Sequence, residues 1–213
     1  ASILTNKEST ATSPGNVELK TITVTGTDST LQVQAPGTVK TEALTVTEGG
    51  TVDIDAGSVH VTGNETVTGG STVTKDAKGD ITVGGDQTVT GSTLRETSSD
   101  GSIETKGNLT LADSETHLTA HKDLTVGGNM TVTGGTLKAQ AETGSITMTK
   151  IRTWQTTTDF RAGADMGFDD WMSAESKNTV SVGGTFGIRP QGGTSFETYE
   201  QGYGNRAFVK YAD

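Results

Sequence analysis

The chain of 213 residues has no cysteine, only three prolines, and not one aromatic residue before position 151. Each absence closes a class. Without cysteine there is no disulfide, no thiolate metal site and no cysteine nucleophile, so outside a cell such a fold would be held by stacking alone. Hydrophobic residues make up 30% of the chain, against roughly 45–50% apolar in an average domain, which excludes a thick aromatic-packed core over most of its length. No apolar run approaches the ~18 residues of a membrane span and no signal peptide is visible, so membrane insertion is not expected. Basic residues are also scarce. The net charge is −10, and residues 1–150 carry −8 of it with 10 of the 16 basic and 18 of the 26 acidic groups. An acidic surface without a Lys/Arg stripe repels phosphates, so nucleic acid is not expected as a partner.

What is present is a repeat. Gly128-Asn129-Met130-Thr131-Val132-Thr133-Gly134-Gly135 restates Gly85-Asp86-Gln87-Thr88-Val89-Thr90-Gly91 and Gly63-Asn64-Glu65-Thr66-Val67-Thr68-Gly69, with a decayed copy in Gly107-Asn108-Leu109-Thr110-Leu111. The threonines that open each core, Thr23, Thr45, Thr66, Thr88, Thr110 and Thr131, are spaced by 22, 21, 22, 22 and 21 residues. A period held this tightly marks units that cannot bury an apolar side alone and must stack on their neighbours. Regularly spaced β-branched residues separate it from disorder. The 29 glycines and the abundant threonine suit short strands joined by tight turns.

Each period holds three apolar stations. Val24, Val46, Val67, Val89, Leu111 and Val132 form the first. Leu31, Val52, Val73, Leu94 and Leu137 form the second, with Leu118 out of step, and Val59, Ile81, Ile103, Leu124 and Ile146 the third. Three stations in about 21.6 residues leave a strand and a corner per side. The expected fold is therefore all-β: a three-sided β-solenoid of about six 21–22-residue coils over residues 18–150 and about 30 Å long. Residues 1–17 read as a polar N-terminal arm. Gly26, Gly69, Gly91 and Gly134 follow Thr-Val-Thr at a corner, where Glu48 and Asp113 replace glycine in two coils.

Alternation along the strand turns the valines inward and the threonines outward, giving a ladder of Thr23, Thr25, Thr45, Thr47, Thr66, Thr68, Thr88, Thr90, Thr110, Thr131 and Thr133. The same alternation turns Ile22, Leu44, Glu65, Gln87, Leu109 and Met130 inward. Burying Glu65 unpaired would cost several kcal/mol, so this position is expected at a corner with partial access to water.

All ten aromatics lie beyond Lys150. Residues 151–213 are read as a small aromatic-rich β domain that caps the solenoid or docks it, because an open coil end exposes strand edges. A short helix is expected around Asp169–Ser176, and strands at Thr179–Val182, Thr185–Ile188 and Ala207–Tyr211. Trp154, Phe160, Phe168 and Trp171 are expected to pack as a core or cap. Tyr199, Tyr203 and Tyr211 are the candidate partner contacts.

The phrases Gly107-Asn108-Leu109-Thr110-Leu111, Lys122-Asp123-Leu124-Thr125-Val126-Gly127-Gly128-Asn129 and Met130-Thr131-Val132-Thr133-Gly134-Gly135 resemble secreted β-helix adhesins of the filamentous-haemagglutinin type. They equally resemble the β-structured shafts of bacteriophage tail fibres and spikes. The resemblance covers residues 20–150 and implies an elongated structural or attachment role. It carries over no functional residues.

Other clusters have plainer readings. His117 and His121 are four apart, but their surroundings read as strand and no third ligand is near. His60 is expected outward and solvated. Asp165, Asp169, Asp170 and Glu175 read as a solvated acidic loop rather than a calcium site or a sugar-cutting carboxylate pair. Asn64, Asn108 and Asn129 each stand in Asn-x-Thr at one repeat position, which marks turn-forming asparagine. No Gly-x-Ser-x-Gly, phosphate loop or dinucleotide fingerprint occurs. No enzyme, cofactor or metal is expected. The leading expectation is a homo-oligomeric virion component, a fibre, spike or decoration protein, whose partners are other structural proteins or a host-surface glycan or protein. A secreted or cell-surface adhesin or matrix scaffold is the alternative, and ice binding through the threonine ladder a second one.

Overall fold

Val46 lies beside Val67, and Val67 beside Val89, in parallel strands one coil apart. The structure is a computed structural model that describes residues 2–5 and 7–188. Among these residues every regular element is a strand, and the strands wind as one parallel β-solenoid of about eight turns within a single chain. Each coil presents three faces. The first carries the Thr-Val-Thr motif, the second begins at Thr51–Val61 and Thr72–Ala77, and the third at Ile81–Val83 and Ile103–Thr105.

Eight turns rather than six arise because the winding is not confined to residues 18–150. Ser2–Thr5 pairs with Val17–Thr25, and Glu8–Thr12 with Thr30–Thr47. At the other end Ile146–Trp154 pairs with Met166–Ala174, which pairs in turn with Phe186–Ile188, while Thr157–Ala162 pairs with Lys177–Val182. The period shortens there, with Met166 registered to Phe186 and Thr157 to Lys177, and the Thr-Val-Thr phrase is gone, so counting phrases stops too early. No helix forms around Asp169–Ser176: Met166–Ala174 is a strand. The corner between Phe168 and Trp171 breaks strict alternation and imitates a helical spacing. The expected strand at Ala207–Tyr211 lies outside the described residues.

The core is a set of stacked columns. Val59, Ile81, Ile103, Leu124 and Ile146 follow one another on the third face, all essentially without solvent exposure. Burying each such side chain contributes about 1.5–3 kcal/mol, available only when the coils above and below are present. On the second face Leu94 is registered to Thr116, so the out-of-step Leu118 stands in the neighbouring inward column between Glu96 and Ala139. Toward the C-terminal end aromatics take over the same core. Phe160, Phe168 and Trp171 are buried, and edge-on contacts join Phe160 to Trp171 at 6.1 Å and Phe168 to Trp171 at 5.3 Å. Trp154 departs from expectation. It is 55% exposed because its register partner is the outward Thr133.

The three corners are built differently. After the first face the backbone turns left-handed, at a single residue in Gly26 (φ 99°), Gly91 (φ 56°), Asp113 (φ 49°), Gln155 (φ 47°) and Glu175 (φ 51°), and at two in a row in Glu48-Gly49, Gly69-Gly70 and Gly134-Gly135. Glycine adopts this conformation freely; the others tolerate it at about 1 kcal/mol each. The other two corners are tied by side-chain ladders. Asn64 Oδ1 accepts the Asp86 N–H at 2.9 Å, Asp86 Oδ1 accepts the Asn108 N–H at 2.8 Å, and Asn108 Oδ1 accepts the Asn129 N–H at 3.0 Å. Asp80, Ser102, Asp123, Ser145 and Asp165 do the same for the next residue in turn, ending on the Thr185 N–H. Each rung satisfies a corner N–H that no strand partner reaches.

Candidate functional site

The threonine columns stand on the first face in strict register. Thr23, Thr45, Thr66, Thr88, Thr110 and Thr131 form one column, which continues into Arg152 and Met172. Thr25 lies beside Thr47, Thr68 beside Thr90, and Thr133 beside Trp154, with Ala112 interrupting the second column between Thr90 and Thr133. Most of these side chains are half-buried by their neighbours, Thr90 and Thr133 being exposed. Thr25 and Thr47 share a hydroxyl hydrogen bond of 3.1 Å.

The histidines and acids do not converge. His117 Nε2 sits 3.6 Å from Glu115, and His121 Nδ1 sits 3.2 Å from Glu142 at the following corner. Asp165 is a member of the corner ladder, Glu175 takes the left-handed corner position and accepts from Gln155, and Asp170 is registered to Lys150. Among the described residues no group of three His, Cys, Asp or Glu side chains could hold a metal ion. Tyr199, Tyr203 and Tyr211 lie outside the described residues.

The feature that departs furthest from the expected pattern is inside. Glu65 does not reach water at a corner; it is fully buried, and so is Gln87 above it. The reason is a partner the repeat phrases do not show. Lys75, ten residues on, points inward from the second face of the same coil and contacts Glu65 Oε2. Its Nζ is also 2.5 Å from Glu96 Oε1, and Glu96 is the register partner of Lys75 in the next coil. Gln87 Nε2 donates to Glu96 Oε1 at 2.8 Å, and Thr105 Oγ1 donates to Gln87 Oε1 at 2.9 Å. Glu65, Lys75, Gln87, Glu96 and Thr105 are each at most 3% exposed. Leu44 and Ile54 close the layer below, Leu109 and Leu118 the layer above.

The electrostatics are one charge out of balance. A single ammonium faces two carboxyls, and Glu65 Oε1 and Glu96 Oε2 have no hydrogen-bond partner. Burial raises the Glu65 pKa above the ordinary carboxyl value; the Lys75 ammonium pulls it back, and the Glu96 carboxylate pushes it up again. Burial alone would lower the Lys75 pKa, but the Glu65 and Glu96 carboxylates outweigh it and hold that pKa above the ordinary lysine value. The neutral form of the layer therefore carries one proton on a carboxyl, and Glu65 is the group whose pKa moves in the direction to hold it. An amine, an acid and a second carboxyl are thus held in contact in a dry core.

Reading motifs alone misses this layer because Lys75 and Glu96 belong to no repeated phrase. Their spacing of 21 residues, against 22 between Glu65 and Gln87, places each pair in one column. Comparison with protein-family models, curated proteins and solved structures finds no match for this chain.

Proposed function

We propose that the chain is a non-enzymatic structural component of a virus particle, a fibre, spike or decoration element, in which the solenoid is a stiff spacer. The observation that supports this reading is the winding from Ser2 to Ile188, about eight turns in register. At ~4.8 Å per turn it makes a rod of about 40 Å. Each coil touches only its neighbours, so the body transmits position along its axis. Residues 189–213, with Tyr199, Tyr203 and Tyr211, take the docking role on composition alone, toward other structural proteins or a host-surface protein or glycan. Immunogold electron microscopy with an antibody raised against the solenoid tests the assignment. Grains on particle appendages are expected. Grains confined to a bacterial surface or its secreted matrix, with bare particles, would move the chain to the adhesin or scaffold reading.

One feature favours a second reading, ice binding. Two outward columns of threonine lie one strand spacing apart along the rod, ~4.8 Å, and about two residues apart across it, ~7 Å. That array can order water. Absence of thermal hysteresis at millimolar protein excludes it.

A further inference from the structure

We infer that the buried layer is a cross-linking site, in which the Lys75 side chain forms an isopeptide bond with the Glu65 side chain, assisted by Glu96. The inference does not rest on the proposed function. Lys75 Nζ is in direct contact with both carboxyls, all three side chains are cut off from solvent, and one oxygen of each carboxyl has no partner. An ion pair left in such a place bears the desolvation of every charge it holds. Chemistry that removes those charges is favoured by the same environment.

The step balances within the residues present. Lys75 passes one ammonium proton to the Glu96 carboxylate 2.5 Å away, which cancels two buried charges and frees the amine lone pair. The amine attacks Cδ of the Glu65 carboxyl in its acid form, which has a leaving group and which burial favours over the carboxylate. The new Nζ–Cδ bond forms as the C–O bond to the hydroxyl breaks. That hydroxyl leaves as water with a proton relayed through Glu96, which ends as a neutral acid. No oxidant, metal or co-reactant enters. Gln87, held by Thr105 and donating to Glu96 Oε1, fixes Glu96 in the orientation that receives the proton. Water loss from a dry core, together with the disappearance of the buried ion pair, drives a condensation that is unfavourable in bulk water.

Mass spectrometry of the intact, full-length chain tests this directly. A mass about 18 Da below that of the sequence is expected. Glu65 and Lys75 fall in one tryptic peptide; the linked lysine resists cleavage, so the digest should contain residues 41–78 uncut at Lys75 and lighter by the same about 18 Da. The Glu96→Gln variant, folded by circular dichroism, should show the full sequence mass and a cut at Lys75. The full mass in the folded wild-type chain overturns the proposal, since it needs no variant to fold. Fragment ions that join Lys75 to Glu96, or an unchanged loss in Glu96→Gln, overturn the assignment of roles.

Discussion

Lys75 and Glu96 face each other across adjacent coils with Nζ 2.5 Å from Oε1, both withdrawn from water. Their columns are otherwise apolar, Ile54 preceding Lys75 and Leu118 following Glu96. A polar layer inserted into such a stack can pair only with itself, so it opposes any slip of one coil against the next. A shift of the upper coil by one residue would turn Gln87 and Glu96 to the outside and leave Lys75 with Glu65 alone.

The layer's stability should accordingly be asymmetric. Lys75→Met removes the only cation and leaves two carboxyls buried, which is expected to cost about 3–5 kcal/mol. Replacing the whole set with the residues their columns use elsewhere (Glu65→Leu, Lys75→Ile, Gln87→Leu, Glu96→Leu and Thr105→Val) should recover that loss or exceed the wild type without its cross-link by about 1–4 kcal/mol. Urea unfolding of the three proteins measures both. A fivefold variant less stable than Lys75→Met would show that the layer is not an isolated substitution in an apolar stack.

At the corners, the glycine one coil above each laddering Asn or Asp has a steric cause. A Cβ on Gly85 would lie 2.1 Å from Asn64 Oδ1, and one on Gly144 2.5 Å from Asp123 Oδ1. Where the residue beneath is the shorter Ser102 or Ser145, the chain carries Lys122 and Ala164 instead. Gly85→Ala should therefore destabilise by about 1–3 kcal/mol, and less in an Asn64→Ser background. The coupling in a double-mutant cycle is expected to be at least about 0.5 kcal/mol. Additive costs would place the conflict with the backbone of Gly63 rather than with the amide of Asn64.

The period, the inward valines and the corner role of Glu48 and Asp113 were legible because each recurs in phase. The packing of Phe160 and Trp171 was legible too, but not their place, since the aromatic residues beyond 150 look like a new composition while occupying the same inward columns as Met130 and Ala139. The burial of Glu65 does not show in the sequence because a single buried carboxyl is costly, and its partner Lys75 stands on another face where no motif marks it. Side-chain partners across the core follow from stacking offsets, and only the complete register of three faces makes these visible.

The same register places like charges together on the second face. Asp55 is paired with Asp76, and Asp53 stands two residues from Asp55 on the outward side. The Asp53 pKa is raised above its ordinary 3.8, first by desolvation among its neighbours, then by Asp76 and Asp55. A carboxyl whose folded pKa lies above the unfolded one favours the fold below the unfolded value, and that contribution is lost as pH climbs through the folded value. At neutral pH the charged Asp53 therefore works against the fold. Its exposure and solvent screening keep the effect small. Asp53→Asn should raise stability at pH 7 by up to ~0.5 kcal/mol, lose the gain once the pH is brought below 3.8, and show less of it in 1 M salt, where screening acts within about 3 Å. Urea midpoints of the two proteins across that pH range, at low and high salt, decide it. A gain that persists in acid would come from the asparagine itself and not from relief of repulsion by Asp55 and Asp76.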